Sequence, residues 1–468
     1  MAQRIAVIGT GYVGLIQAVG LADFGNYVTG VDLRADIVEK LSAGVPTIFE
    51  HGLSEYLERN VRSGRLRFTT SVSEALAAAD VVFLAVGTPE AADGSADLGQ
   101  IEAAVTSIAT HASGLTVVVT KSTVPVGTNR WIAEELARAT TSADTREFVV
   151  VSNPEFLREG RAVQDFFHPD RIVLGLQGLQ TDAELRARAI LEDLYRPLYL
   201  ISTPFVWSNF ETAELIKYAS NAFLATKITF INQMANLAEA VGADVHTVAK
   251  SMGMDGRISP KFLHPGPGYG GSCFPKDTKA LAVTGKRYGV EMSLVNAVVT
   301  ANEAQKIRTA NKVLRLLTGD PHGMATGRVV AILGVAFKAE TADIRESPAI
   351  RVVRELLGAG AVVRVHDPKA LPSFRDMFGD AVRYFDNEFA CVEGADAVVI
   401  LTEWNEYRNL DLARAAELMR CGREIASPAT PVTAHAGGAS RLLLIDTRNV
   451  LDPADARAAG FEYYGTGR

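Results

Sequence analysis

One stretch near the start limits the fold more than any other. Residues 4–8 read RIAVI, an apolar run of strand length, and Gly9, Gly11 and Gly14 follow at once in G-T-G-Y-V-G. LIQAVGLADFG then carries helical periodicity toward a second apolar run, YVTGVD, which ends at Asp32. Strand, glycine turn, helix and strand in that order make a dinucleotide-binding βαβ unit. The glycines permit a tight turn, close approach to a pyrophosphate and close packing of helix on strand, while the helix start receives the phosphate charge. The glycine spacing alone is a weak signal. Asp32, 18 residues after Gly14, strengthens it, because a carboxylate there binds ribose hydroxyls and repels the extra phosphate of NADP. The expected cofactor is NAD, held by Gly9, Gly11, Tyr12, Val13, Gly14 and Asp32; Arg34 nearby weighs against complete exclusion of NADP.

Further strands are expected at 79–86, 115–120 and 146–152, each ending in a polar turn: VGTP (86–89), KSTVPVG (121–127) and NPEFLREG (153–160). In an open α/β sheet those turns line the carboxyl edge, where ligands bind. From about 205 to 318 the pattern changes to long helices. Ser208 and Glu211 read as a capping box opening a helix that runs to about Val241, with Lys217 and Asn221 four residues apart on one face. The third region repeats the first: VVAILG (329–334), a helix begun by Ser347 and Pro348, AVVRVHD (361–367) and ADAVVILTEW (395–404). It lacks the three spaced glycines, so a second Rossmann-like domain is expected to offer its edge, with Lys338 and Arg345, to a different ligand. The fold class is α/β, two doubly wound parallel-sheet domains (1–204 and 319–468) joined by a long-helix region (205–318). The stretch 426–440 reads as a surface loop.

Gly268 to Asp277, GYGGSCFPKD, places Cys273 in a glycine-rich loop just before a helix start, with Pro275 suited to the first helical position and Asp277 to the first turn. A lone cysteine is more often a small buried hydrophobe. Here the helix end and adjacent Lys276 favour a thiolate, which makes Cys273 a candidate nucleophile.

At 468 residues the chain exceeds one ordinary core. Its net charge of -7 argues against wholesale attraction to nucleic acid or anionic membrane, so any anionic ligand is held locally. Cys273, Cys391 and Cys421 are odd in number and lack metal-ligand spacing, which fits a reducing compartment and no metal. With no apolar run long enough for a membrane helix and a strand already at the N-terminus, a cytoplasmic location is expected.

The co-linear set of GTGYVG, VGTP, KSTVPVG, NPEFLREG, KYASNAFLATKITFIN (217–232), GYGGSCFPKD and FKAETADIRES (337–347) resembles the UDP-glucose/GDP-mannose dehydrogenase family over nearly the whole chain. The resemblance implies a four-electron, NAD-dependent oxidation of a sugar primary alcohol to a carboxylate through a thiohemiacetal and thioester on Cys273. It gives Lys217 and Asn221 the stabilisation of charge on oxygen, and Thr123, Glu155 and Asp277 the positioning or deprotonation of alcohol and water. It adds Thr88, Thr123, Glu159, Lys276 and Arg345 to the NAD contacts. Sugar-nucleotide contacts fall to Glu155, Phe156, Leu157, Arg158, Lys217, Asn221, Arg257, Phe262, Gly270 and Lys338, with Arg257 reaching a neighbouring subunit, hence a homodimer or larger homo-oligomer. GRAVQDFFHPDRIVLG (160–175) resembles the members acting on UDP-glucose, which would yield UDP-glucuronate for polysaccharide biosynthesis. GDP-mannose and UDP-N-acetylhexosamine dehydrogenases share the Cys, Lys and Asn framework and are the alternatives. A two-electron hydroxyacid dehydrogenase would have no use for Cys273 or a third domain, and a nucleotide sensor would need neither Cys273 nor Lys217. Ile37 stands where family members often carry a lysine, so that cofactor contact is absent or moved to Arg34.

Overall fold

The computed structural model describes residues 2–140, 146–178, 180–426 and 441–468. The expected loop therefore lies outside the described residues from 427 to 440, and Ala426 ends the helix Leu412–Ala426. The chain divides into two compact units, Met1–Ser220 with Lys279–Glu291, and Asn221–Thr278 with Met292–Arg468.

The first unit is built on an eight-stranded sheet: β1 Arg4–Ile8, β2 Tyr27–Val31, β3 Leu66–Thr69, β4 Val81–Leu84, β5 Leu115–Thr120, β6 Glu147–Ser152, β7 Ile172–Gly175 and β8 Phe205–Ser208, in the order β3-β2-β1-β4-β5-β6-β7-β8. All neighbours are parallel except β6 and β7, which meet antiparallel at Ser152 and Gly175. Successive strand residues enter opposite cores. Ile5, Val7, Val81, Phe83, Val117, Val119, Val149 and Val151 pack on one face, and Ala6, Ile8, Val82, Leu84, Val118 and Val150 on the other. A parallel sheet buried on both faces reads in sequence as a continuous apolar run, which is why these strands were legible.

The second unit carries a six-stranded parallel sheet, β9 Val329–Leu333, β10 Val362–His366, β11 Arg383–Tyr384, β12 Ala397–Ile400, β13 Leu443–Asp446 and β14 Glu462–Gly465, in the order β11-β10-β9-β12-β13-β14. Its beginning reproduces the first unit in detail. Gly9 N donates to Val31 O and Gly334 N to His366 O, and both glycines sit at φ 93°. The carboxylates that follow β2 and β10 have different fates. Asp367 is buried, and its oxygens accept Val335 N, Ala336 N and Trp404 Nε1 on one side and Lys369 N and Ala370 N on the other, at 2.8–3.2 Å. Asp32 is half-buried and accepts Thr10 Oγ1 at 2.7 Å, a longer contact from Thr10 N, and Arg34 N at 3.0 Å.

The helix Phe210–Val241 runs for 32 residues, ~48 Å at 1.5 Å per residue. Its first turn differs from the expected capping box. Ser208 is the last residue of β8 and bonds Asn209 O, and Asn209 Oδ1 accepts Thr212 N instead. Ser347 does cap the helix Pro348–Gly358, accepting Ala349 N. Among the described residues no helix is long and apolar enough to cross a membrane.

Candidate active site

In the first unit the glycine turn delivers the chain into the helix Tyr12–Asp23, with Gly11 at the cap position and no side chain capping the end. A Cβ on Gly14 would lie 1.9 Å from Gly9 O, so only glycine lets this helix approach the turn. A Cβ on Gly11 would meet nothing within 4 Å, which leaves open space at the helix start. These features fit a dinucleotide. The first helical N–H groups need an external acceptor, and Asp32 Oδ1 takes only the Arg34 N–H among the described residues, leaving lone-pair capacity for a ribose hydroxyl. Tyr12 serves a second purpose, since its hydroxyl bonds the Glu50 carboxylate and accepts Gly160 N. Glu50, in a stretch without periodicity, also accepts Gly160 N and Ala162 N at 2.8 Å and so ties down the end of the NPEFLREG turn. Burial pushes its carboxyl pKa up.

The turns after β4, β5 and β6 lie side by side. Thr88 Oγ1 donates to Thr123 O at 2.9 Å. Lys217 Nζ donates to Glu155 Oε1 at 2.8 Å with both groups buried, and Leu157 N donates to the other Glu155 oxygen. Phe156 lies under two cations, with the Arg171 guanidinium 3.6 Å and Lys217 Nζ 5.5 Å from its ring centroid. Burial lowers the Arg171 pKa. Arg158 is held by both Asp165 oxygens, and Glu159 is half-buried.

In the second unit the loop before Cys273 is stapled by amide side chains. Gly266 N donates to Asn232 Oδ1 and Gly266 O accepts Gln305 Nε2. Tyr269 N and O bond Asn302 Oδ1 and Nδ2 at 2.8 and 3.0 Å. Gly271 N donates to Arg345 O, and a Cβ on Gly270 would sit 2.4 Å from Glu346 O. Cys273 O then accepts Asp277 N, so the thiol stands at the cap of the helix Phe274–Arg287, with Pro275 second in the helix rather than first. Cys273 is half-buried and Ser272 Oγ lies 3.5 Å from its Sγ. Cys391 is buried in the second core, where burial pushes its thiol pKa up, and Cys421 is exposed. One turn into the helix, buried Asp277 accepts Asn221 Nδ2 at 2.6 Å, and Lys276 Nζ lies 2.8 Å from its other oxygen.

The remaining expected residues are more scattered. Lys338 Nζ stands 5.5 Å from the Phe337 ring, Arg345 pairs with Asp343, and Phe262, at φ 65°, packs toward Phe274. Arg257 is exposed and bound to Asp255. Sequence reasoning missed Glu50, Lys121, Arg171, Asn232, Asn302 and Gln305. Lys121 lay inside a turn already marked as an edge candidate. The three amides were visible as polar residues on apolar helix faces, Asn302 and Gln305 one turn apart.

Residues 3–199 match the NAD binding domain of the UDP-glucose/GDP-mannose dehydrogenase family, 211–304 its central domain and 331–453 its UDP binding domain. A UDP-glucose 6-dehydrogenase of Rhizobium meliloti is 45% identical over 466 residues, covering 99% of each chain. Among solved structures, a UDP-glucose dehydrogenase of the archaeon Pyrobaculum islandicum is 40% identical with a TM-score of 0.86, covering 100% of this chain and 98% of its own. A UDP-D-ManNAc dehydrogenase of Pyrococcus horikoshii is 28% identical with a TM-score of 0.82, covering 99% of each. A glycine turn closed on Asp32, a second nucleotide-type sheet and three consecutive domain matches lead to one conclusion: the chain belongs to the UDP-glucose/GDP-mannose dehydrogenase family.

Proposed function

We propose that this protein oxidises C6 of UDP-glucose from alcohol to carboxylate, through an intermediate bonded to Cys273. The observation that carries the four-electron reading is the half-buried Cys273 thiol at a helix cap, ahead of Asp277 and Asn221, where Cys391 is sealed in a core. UDP-glucose is favoured because the relatives named for it are 40–45% identical, against 28% for the ManNAc relative. NAD, when bound by Gly11, Asp32, Thr88, Thr123, Glu159, Lys276 and Arg345, accepts the hydride released at each oxidation.

The chain's own residues do the rest. Loss of a proton and a hydride from C6–OH gives an aldehyde, the proton passing to the set Thr123, Glu155 and Asp277. The Cys273 thiolate adds to that carbon and forms a thiohemiacetal, whose oxygen is stabilised by Lys217 and Asn221. Loss of a second hydride and the hydroxyl proton leaves a thioester. Water activated by the same acid–base set hydrolyses it, giving the carboxylate and returning the thiolate. Phe156, Leu157, Arg158, Arg257, Phe262, Gly270 and Lys338 hold the sugar nucleotide, and residues 1–204, 205–318 and 319–468 serve as cofactor, central and sugar-nucleotide parts. The product, an activated uronic acid, has the chemistry of a glycosyl donor for polysaccharide biosynthesis.

The test is stoichiometry across a panel of UDP-glucose, GDP-mannose and UDP-N-acetylhexosamines. UDP-glucose should give the highest kcat/KM and two NADH per sugar. Cys273→Ser should lower turnover by several orders of magnitude, about 10³-fold or more, with substrate binding little changed, since the thiol contributes little ground-state affinity. One NADH per sugar with free aldehyde, or near-normal turnover in Cys273→Ser, overturns the covalent route.

A further inference from the structure

Lys121 is the first residue after β5 and Asn153 the first after β6, and the two strands pair in register at Thr120 and Ser152. Their side chains therefore leave the same sheet edge together. Lys121 Nζ donates to Asn153 Oδ1 at 3.1 Å, and the same oxygen accepts Tyr195 OH at 2.7 Å. Gln17 Nε2 donates in turn to Tyr195 OH, and Asn153 Nδ2 to Val173 O. Every one of these groups is buried, and Asn153, which accepts from the Lys121 ammonium, is neutral. Burial also raises the Tyr195 pKa, which keeps that phenol protonated.

The charges acting on Lys121 are Glu155, from the turn after β6, and Lys217, from the long helix. Lys217 already pairs with Glu155 at 2.8 Å. Lys121 and Glu155 line one cavity, whose other charged or titratable members are Arg158, Asp165, His168, Asp170, Arg171 and Tyr195. Arg158 and Asp165 neutralise each other at its wall. Two ammonium groups and one carboxylate leave a buried cluster with one unmatched positive charge, an arrangement that is costly unless something anionic is presented to it.

We propose that Lys121 is a positioning residue for the oxidation: its charge, acting behind the Lys217–Glu155 pair, makes the cluster net positive and so favours negative charge developing on the reacting oxygen. The inference rests on the assignment of Lys217 and Glu155 to that reaction. Lys121 donates no bond to substrate and moves no proton; it adds to the field in which Lys217 works. Burial, partly opposed by Glu155, pulls the Lys121 pKa down to about 8. Above that pH the ammonium is lost, and the support it gives should go with it.

The experiment compares kcat/KM of wild type and Lys121→Met from pH 6.5 to 9.5. At pH 7 the substitution should cost about 10- to 100-fold, less than removing a direct oxyanion donor. Above pH 8 the ratio should shrink, up to about tenfold per pH unit, as wild type loses the same charge. Effects of other titrating groups cancel in the ratio, whereas a purely structural role for Lys121 gives a ratio that does not change with pH. Lys121→Arg, charged throughout, is the second variant and is decisive if Lys121→Met does not fold. It should keep activity at pH 7 within about fivefold and gain on wild type above pH 8. A flat ratio for either folded variant overturns the proposal. Lys217→Ala separates the two levels: full activity there overturns the assignment of the pair, whereas a collapse there with flat Lys121 ratios overturns only the inference about Lys121.

Discussion

Cofactor choice in this chain narrows to the Asp32 carboxylate. Thr10 occupies one oxygen and the Arg34 N–H part of the other, which leaves lone-pair capacity for a ribose hydroxyl. A 2′-phosphate there would face this charge, and Arg34 offers little relief because its guanidinium is paired with Asp36. NAD should therefore be preferred over NADP by at least ~10-fold in kcat/KM, the scale of a few kcal/mol at most in a solvated pocket. Asp32→Ala should narrow that preference; kinetics with both cofactors check it, and equal rates in wild type refute it. Asp32 and Cys273 stand out as candidates in the sequence because each is a reactive residue type set against local punctuation, a strand end and a glycine-rich loop. Lys121 and Glu50 do not. Their meaning lies in Asn153, Tyr195, Gly160 and Ala162, distant in sequence and joined only by folding.

At the scale of elements, the glycine-rich loop gets its shape from outside itself. Gly268 and Gly271 lie at positive φ, and the helix Ser293–Thr318 supplies Asn302 and Gln305 to hold the backbone those glycines leave free. Asn302→Ala removes both bonds to Tyr269 and leaves a buried N–H and C=O without partners, a cost of about 1–3 kcal/mol each. The expected result is a lower melting temperature and, on the proposed covalent route, a kcat reduced by up to ~10²-fold with KM for the sugar nucleotide much less affected, because displacing Cys273 would cost alignment rather than affinity. Unchanged kcat in a folded Asn302→Ala protein would show that the staple is only structural. The strands and the Ser347 cap were legible because their signals are local. The start of the long helix was misread for a related reason: Ser208 is an excellent cap by composition, but pairing with β7 claimed it for the sheet.

For the whole molecule, the long helix leaves Phe223, Phe230 and Leu237 exposed, each seven residues from the next. A repeat of seven is the pattern of a helix seam, and we propose that a second copy of this chain covers it, giving a dimer as the smallest assembly. Light scattering should return twice the 50.1 kDa chain mass, and Phe230→Asp should shift it toward the monomer. A monomeric wild type at micromolar concentration would refute this. The two-sheet plan was visible in the sequence as a repeat without the three spaced glycines, and Asp367 adds a second difference that the sequence did not disclose. Five donors converge on that carboxylate. Turning it toward a ribose would leave several of those donors without a partner, at a cost of about 1–3 kcal/mol for each buried one. The carboxylate after β10 works as an internal clasp: it spends its lone pairs on the domain's own backbone and indole, where the one after β2 keeps some to offer outward.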